Sequence, residues 1–330
     1  MWTFVLEKLP EKLANSIPFS LAVLVVGFVL LIKGADFFVD GSSGIAKKLK
    51  IPSIIIGLTV VAMGTSLPEA AVSVSASLQG KNSLAISNVL GSNLFNLMVV
   101  VGLCAIMSPI IVKKDLVKRD IPISIGAAVI VMILGLVGTT MGRVDAIILL
   151  IAFIAFIFFI VAVALKARKS AMAIEEEDEY KDRPLWICLL FIIVGALAII
   201  LGGDMVVDSA TKIAYWAGMS ETLVGLTIVS VGTSLPELVT SVVAARKKEV
   251  ELSLGNAIGS NIFNLLMILG LAGIISPLTV VVENIIDMII LIASSLIVWL
   301  VCWKKKKLGR LEGIIMVLIY VAFVVYIGVR

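Results

Sequence analysis

Two carboxylates are the residues of this sequence best placed to do chemistry. Glu69 ends the hexapeptide Gly64-Thr65-Ser66-Leu67-Pro68-Glu69, and Glu237 ends an identical one, Gly232-Thr233-Ser234-Leu235-Pro236-Glu237. Both hexapeptides lie in apolar stretches long enough to cross a bilayer, where an ionised side chain costs on the order of 2.5–3.5 kcal/mol on insertion scales. Two acids at matching depths need compensation, and a shared cation supplies it. The surrounding residues are oxygen donors. Pro68 lacks a backbone N–H and crowds the carbonyl of Gly64, so carbonyls from Ala62 to Thr65 are expected to leave the helix ladder and face a ligand. Thr65 and Ser66 add hydroxyls, and Ser230, Thr233 and Ser234 repeat the set. Ca²⁺ takes six to eight oxygens. Bidentate Glu69 and Glu237 with one carbonyl from each Thr65 and Thr233 region reach the lower figure. The hydroxyls of Thr65, Ser66, Ser92 and their copies form smaller cages of the kind Na⁺ accepts, whereas Mg²⁺ holds its waters and wants octahedral geometry.

A second repeated motif runs Asn88 to Asn96 (NVLGSNLFN) and Asn256 to Asn264 (NAIGSNIFN). Asn88, Ser92 and Asn96 recur every four residues and so share one helical face; Ser260 and Asn264 do the same in the copy. Such residues often only bridge helices, but their duplication beside buried acids favours a lining role. Gly91 and Gly259 let a neighbouring helix approach closely.

The elements that carry these motifs are membrane helices. The chain is 60% hydrophobic and 15% charged, with mean hydropathy +1.16, and ten apolar spans can be drawn at about 19–39, 53–78, 84–107, 121–139, 144–165, 185–207, 222–245, 252–275, 285–303 and 311–329. No alternating pattern suggests a β-barrel. The stretch before residue 19 reads as an amphipathic lead-in rather than a signal peptide. No histidine occurs, and Cys104, Cys188 and Cys302 lie apart in apolar spans, so soft-metal and histidine-based sites are set aside. The acidic run 175–179 falls in a linker, 166–184, read as a solvated joint between halves. Twenty of the 27 basic residues fall in alternate loops around Lys47, Lys113, Lys166, Lys247 and Lys304. By the positive-inside rule those loops are cytoplasmic and both termini outside.

A constant offset of 168 residues relates residues 34–109 to 202–277 without a gap, pairing Asp36 with Asp204, Gly102 with Gly270 and both motifs with their copies. The expected fold class is therefore all-α and polytopic: ten transmembrane helices in two inverted five-helix repeats, 1–165 and 185–330. Inverted repeats with interrupted helices are the architecture of secondary transporters, with the site near mid-membrane.

The paired G-T-S-L-P-E and G-S-N-x-F-N motifs resemble the repeats of the sodium/calcium exchangers in the Ca²⁺/cation antiporter superfamily. The resemblance implies exchange of about three Na⁺ for one Ca²⁺, with no cofactor and no catalysis. Carried over, Glu69, Glu237, Thr65 and Thr233 hold Ca²⁺. Na⁺ uses Ala62, Thr65, Ser66, Ser92, Ser230, Thr233, Ser234 and Ser260 around the same carboxylates, and Asn96 and Asn264 complete the site through water. Relatives that co-transport K⁺ usually carry Asp in place of Asn264, so K⁺ dependence is disfavoured; H⁺ as counter-ion stays open on the oxygens alone. The expected setting is a plasma (inner) membrane, as a monomer without nucleic-acid or protein partners. A cation channel and an intramembrane hydrolase using Glu69 and Glu237 are the competing classes. Two fixed carboxylates suit tight binding better than conduction, and an inverted repeat gives a hydrolase no purpose.

Overall fold

Long apolar runs become long helices here, and breaks fall where Pro follows Gly-Thr-Ser. The computed structural model describes residues 16–171, 184–219 and 230–329. In chain order the helices are α1 (Ile17–Leu49), α2 (Ser53–Thr65), α3 (Leu67–Leu78), α4 (Asn82–Met107), α5 (Leu116–Leu136), α6 (Arg143–Ala171), α7 (Leu185–Trp216), α8 (Ser230–Gly232), α9 (Leu235–Arg246), α10 (Val250–Ile275), α11 (Val282–Lys305) and α12 (Arg310–Val329). Eight are long and apolar enough to span a bilayer, and α2 with α3 form a further path bent by 49°. Of the seventh expected span only α8 and α9 are described; its start lies outside the described residues, as do most of the linker and the lead-in. The all-α expectation needs one amendment. Loops that meet at the membrane surface form two short antiparallel ribbons, β1 (Ile110–Ile111) with β4 (Lys307–Leu308) and β2 (Thr140–Met141) with β3 (Leu278–Thr279).

The two motif-bearing helices α4 and α10 are central, with 78% of each apolar window buried, against 17% for α12. Glycine sets how closely they are approached. A Cβ on Gly57 would stand 2.6 Å from the Leu252 carbonyl, and one on Gly259 would stand 2.6 Å from that of Leu58, so α2 and α10 touch backbone to backbone. Each of α4, α10 and α5 also contains a π-helical turn, at Asn96–Val100, Phe263–Ile268 and Leu116–Asp120. The first begins at Asn96 and the second contains Asn264. Such wide turns are frequent at functional sites, and sequence periodicity alone did not indicate them.

The helices α1 and α7 form an antiparallel pair on one flank, joined along a seam of small residues. A Cβ on Gly27 would meet Gly202 O at 3.0 Å and one on Gly34 would meet Gly195 O at 2.9 Å; one on Gly41 would meet Cys188 O at 2.6 Å. Because the three pairs recur every seven residues, the seam stays in register for the length of both helices, as in a small-residue membrane interface. Replacing Gly195 by Ala sets a Cβ 2.6 Å from Phe38 N and 2.7 Å from Gly34 O. Such overpacking costs about 1–3 kcal/mol, so Gly195→Ala should lower the melting temperature in detergent. Gly126→Ala, whose added carbon meets nothing within 4 Å, should not.

Candidate cation site

Each acid opens the helix that follows a break. Thr65 ends α2, Ser66 sits in the break at φ −84° and ψ 11°, and Glu69 lies in the first turn of α3. In the copy, Ser234 has φ −92° and ψ 5°, and Glu237 lies in the first turn of α9. Pro68 and Pro236 occupy the first turns, where the missing N–H has no helical partner to lose. The unwinding is shorter than the proline argument suggested. The Ala62 carbonyl still accepts the Ser66 N–H at 3.0 Å and also takes the hydroxyls of Thr65 at 3.3 Å and Ser260 at 3.5 Å. The first break is therefore a single residue, Ser66, and the second is two, Thr233 and Ser234, since only the bonds that the proline nitrogen and ring disturb are lost.

Glu69 and Glu237 are both fully buried, and the halves bond across to each other's acid. The Ser66 hydroxyl donates to Glu237 Oε1 at 2.7 Å, and the Ser234 hydroxyl donates to Glu69 Oε1 at 3.0 Å. Ser92 adds a donor to Glu69 Oε1 at 3.3 Å. Asn264 gives its Nδ2 to Ser92 Oγ and Asn93 Oδ1, each at 3.1 Å. Thr65 donates to Asn256 Oδ1 at 3.0 Å. Glu69, Glu237, Thr65, Ser66, Ser92, Ser234, Ser260, Asn96 and Asn264 are thus all buried polar residues, and cross-bonds tie most of them together. The Ser230 backbone opens α8, while its side chain lies outside the description.

Several oxygens are left over. Glu69 Oε2, Glu237 Oε2, Thr233 Oγ1, Asn264 Oδ1, Asn261 Oδ1 and both polar side-chain atoms of Asn96 are buried without a hydrogen-bond partner among the described residues. A buried neutral group without a partner costs about 1–3 kcal/mol, and a charged one more. Orphan carboxylate oxygens beside hydroxyl, amide and carbonyl oxygens form the donor set of a hard cation. No cluster of three or more His, Cys, Asp or Glu occurs among the described residues, so neutral oxygens must complete any coordination shell. Cys104, Cys188 and Cys302 are buried and free, away from the acids.

Asparagines hold the frame. Asn93 donates to Asn261 O and Asn261 to Asn93 O, both at 3.2 Å, locking α4 to α10 reciprocally. Asn88 bonds Ser73 Oγ at 3.0 Å and Glu69 O at 3.4 Å; Asn256 bonds Ser241 Oγ at 2.9 Å and Glu237 O at 3.3 Å. Asn93 and Asn261 were missed as structural keys because they fall off the four-residue face; their only signal was exact repetition.

The chain matches the family model described as sodium/calcium exchanger protein over residues 19–162 and 187–329. It belongs to that family. Among relatives, the exchanger is 35% identical over 338 residues to the sodium/calcium exchanger MaX1 of Methanosarcina acetivorans, covering 92% of this chain and 97% of MaX1. It is 34% identical over 301 residues to the inner membrane protein YrbG of Escherichia coli, covering 89% and 92%. The sodium-calcium exchanger NCX_Mj, solved after soaking with 2.5 mM Na⁺ and 0.1 mM Ca²⁺, superposes with a TM-score of 0.80 at 33% identity, covering 92% of this chain and 96% of that one. The exchanger is a multi-pass membrane protein of the cation/Ca²⁺ antiporter class, a transporter and not an enzyme.

The two halves of the exchanger's frame are unequally closed, which generates a prediction. Asn256 is fully buried and holds Thr65 as well as α9, whereas Asn88 is half-buried and the corresponding Thr233 hydroxyl has no partner among the described residues. Asn256→Ala should therefore lower thermal stability by about 1–3 kcal/mol and by more than Asn88→Ala, measured by melting in detergent.

Proposed function

We propose that the exchanger moves Ca²⁺ against Na⁺ by alternating access, through ten spans arranged as two inverted repeats, 1–165 and 185–330, joined by a cytoplasmic linker, 166–184. The observation that carries the reading is the crossed pair, Ser66 to Glu237 and Ser234 to Glu69, with one free oxygen left on each acid. Ca²⁺ takes the two Oε2 atoms together with the Thr65 and Thr233 carbonyls. Na⁺ takes the hydroxyl cages of Thr65, Ser66, Ser92, Thr233, Ser234 and Ser260 with Ser230 and the Ala62 carbonyl, and Asn96 and Asn264 complete the centre. Either load neutralises the acids, so closing the site over them is cheap only when it is filled. That makes exchange obligatory. No cofactor or partner chain enters this cycle, which a monomer in the plasma (inner) membrane performs.

The span count is supported by parity. Ribbon β2–β3 joins the α5–α6 loop to the α10–α11 loop, so an even number of crossings separates them. Helices α6, α7 and α10 supply three, and the segment ending in α9 supplies the fourth. The inverted repeat is supported by matched seats: Gly102 on α4 receives α12 at Gly313, and Gly270 on α10 receives α6 at Ala146 and Leu150. The moving part is the α1–α7 pair. It crosses both breaks, with Phe38 over Gly64 and Val207 over Gly232. Lys247 ties α1 to the end of α9 through Asp36 Oδ1 at 3.4 Å and Asp40 Oδ1 at 2.7 Å, so these acids serve the mouth and not the centre. Gln79 stands at the matching place in the first half and bonds Ser75. Asn264 acts as a donor to Asn93 Oδ1, a task no ionised Asp performs, and this disfavours the K⁺-dependent variant.

In proteoliposomes, Ca²⁺ uptake should require an opposed Na⁺ gradient and should not need K⁺. Uptake driven equally by a pH gradient, or down the Ca²⁺ gradient alone, overturns the Na⁺ assignment or the antiport respectively. Glu69→Gln and Glu237→Gln should each reduce uptake to that of empty vesicles; full activity in either removes its acid from the site.

A further inference from the structure

Away from the carboxylates, one cavity collects positive charge with no acid to answer it. It measures about 370 Å³ and is walled by Val112, Lys114, Val117 and Lys118, from the α4–α5 loop and the start of α5, and by Trp303 and Lys306 at the end of α11. The three lysines are exposed, and no ion pair links them to an acid among the described residues. Their neighbours differ: Lys113 pairs with Glu251, Arg119 with Asp120 and Lys305 with Glu312.

The walls are held in place. Ribbon β1–β4 joins the two loops, and Val112 N donates to Lys306 O at 3.0 Å. Lys306 itself takes a left-handed φ of 50° that caps α11 on Cys302 O. Trp299 donates its indole N–H to Val117 O at 2.7 Å and meets Trp303 edge-on with centroids 5.3 Å apart. Trp303 is half exposed at the end of a membrane-spanning helix, the level where tryptophans meet lipid headgroups. The cavity thus offers three ammonium groups at headgroup depth above an apolar floor of Val112, Val117 and the indole. It opens on the lysine-rich side of the protein.

We propose that this cavity binds the phosphate headgroup of an anionic phospholipid. Lys114, Lys118 and Lys306 surround the phosphodiester, and Trp303 with the two valines packs against the glycerol and upper acyl chain. Basic pockets between membrane helices recognise such headgroups by charge and depth together. The proposal does not rest on the ion-exchange reading, since none of these side chains belongs to the carboxylate site.

Native mass spectrometry of the purified full chain, titrated with phosphatidylglycerol and separately with phosphatidylcholine, tests it. The unmodified exchanger should retain one phosphatidylglycerol in preference to phosphatidylcholine. K114Q/K118Q/K306Q should weaken that binding by roughly a hundredfold, each lysine at an anionic surface contributing about a factor of five. K114R/K118R/K306R should keep the lipid, which separates lost charge from lost fold. K47Q/K48Q/K50Q, removing equal charge elsewhere on the same side, should also keep it. Unchanged retention in the first variant, or equal loss in the first and last, overturns the site. Saturable binding of inorganic phosphate that displaces the lipid overturns the lipid as its ligand.

Discussion

Two carboxylates buried at one place in a membrane interior are the constraint on which the rest of this structure depends. Charge repulsion and desolvation both oppose them, and the fold answers with one hydroxyl donor apiece from the opposite motif. Ser66 reaches Glu237 and Ser234 reaches Glu69. Within its own half Glu69 takes only the longer Ser92 bond, at 3.3 Å. The crossed bonds therefore form only when both breaks face each other, and the outer oxygen of each acid has no partner among the described residues.

Bringing the breaks together requires backbones closer than ordinary side chains permit. Gly57 and Gly259 let α2 lie directly on α10, which puts the Thr65 hydroxyl within 3.0 Å of Asn256. The reciprocal Asn93–Asn261 bonds then fix α4 against α10. Polar groups that would be costly in lipid become, once paired, the rigid centre of the molecule. Against that centre lies a helix pair with a different character. The α1–α7 seam is glycine packed on backbone along its own length, while α1 meets α2 and α9 through side chains, Phe38, Val39 and Ala46 packing with Ile56, Val61 and Val243.

The two halves are not in identical states. Thr65 is bonded and fully buried, whereas among the described residues the Thr233 hydroxyl has no partner; there Asn264 makes two bonds and Asn96 none. Lys247 anchors one mouth to Asp36 and Asp40, and Gln79 replaces it at the other.

The sequence by itself determined the membrane class, the helical character, and the two acids and hydroxyl residues that the fold buries together. Each of these rests on local chemistry: apolar length, proline beside glycine, and a carboxylate where lipid forbids one. The repeat offset was equally legible, since it needs only comparison of the chain with itself. Tertiary structure alone decided which hydroxyl serves which acid, that the first break is confined to Ser66 while Ala62 keeps its bond, and that Asn93 and Asn261 act as the lock. It also decided the ribbons that join distant loops and the π-helical turns at Asn96 and Asn264. The crossed bonds, the lock and the ribbons depend on contacts between residues about 140 to 200 positions apart, and no local pattern records a partner that only folding brings near.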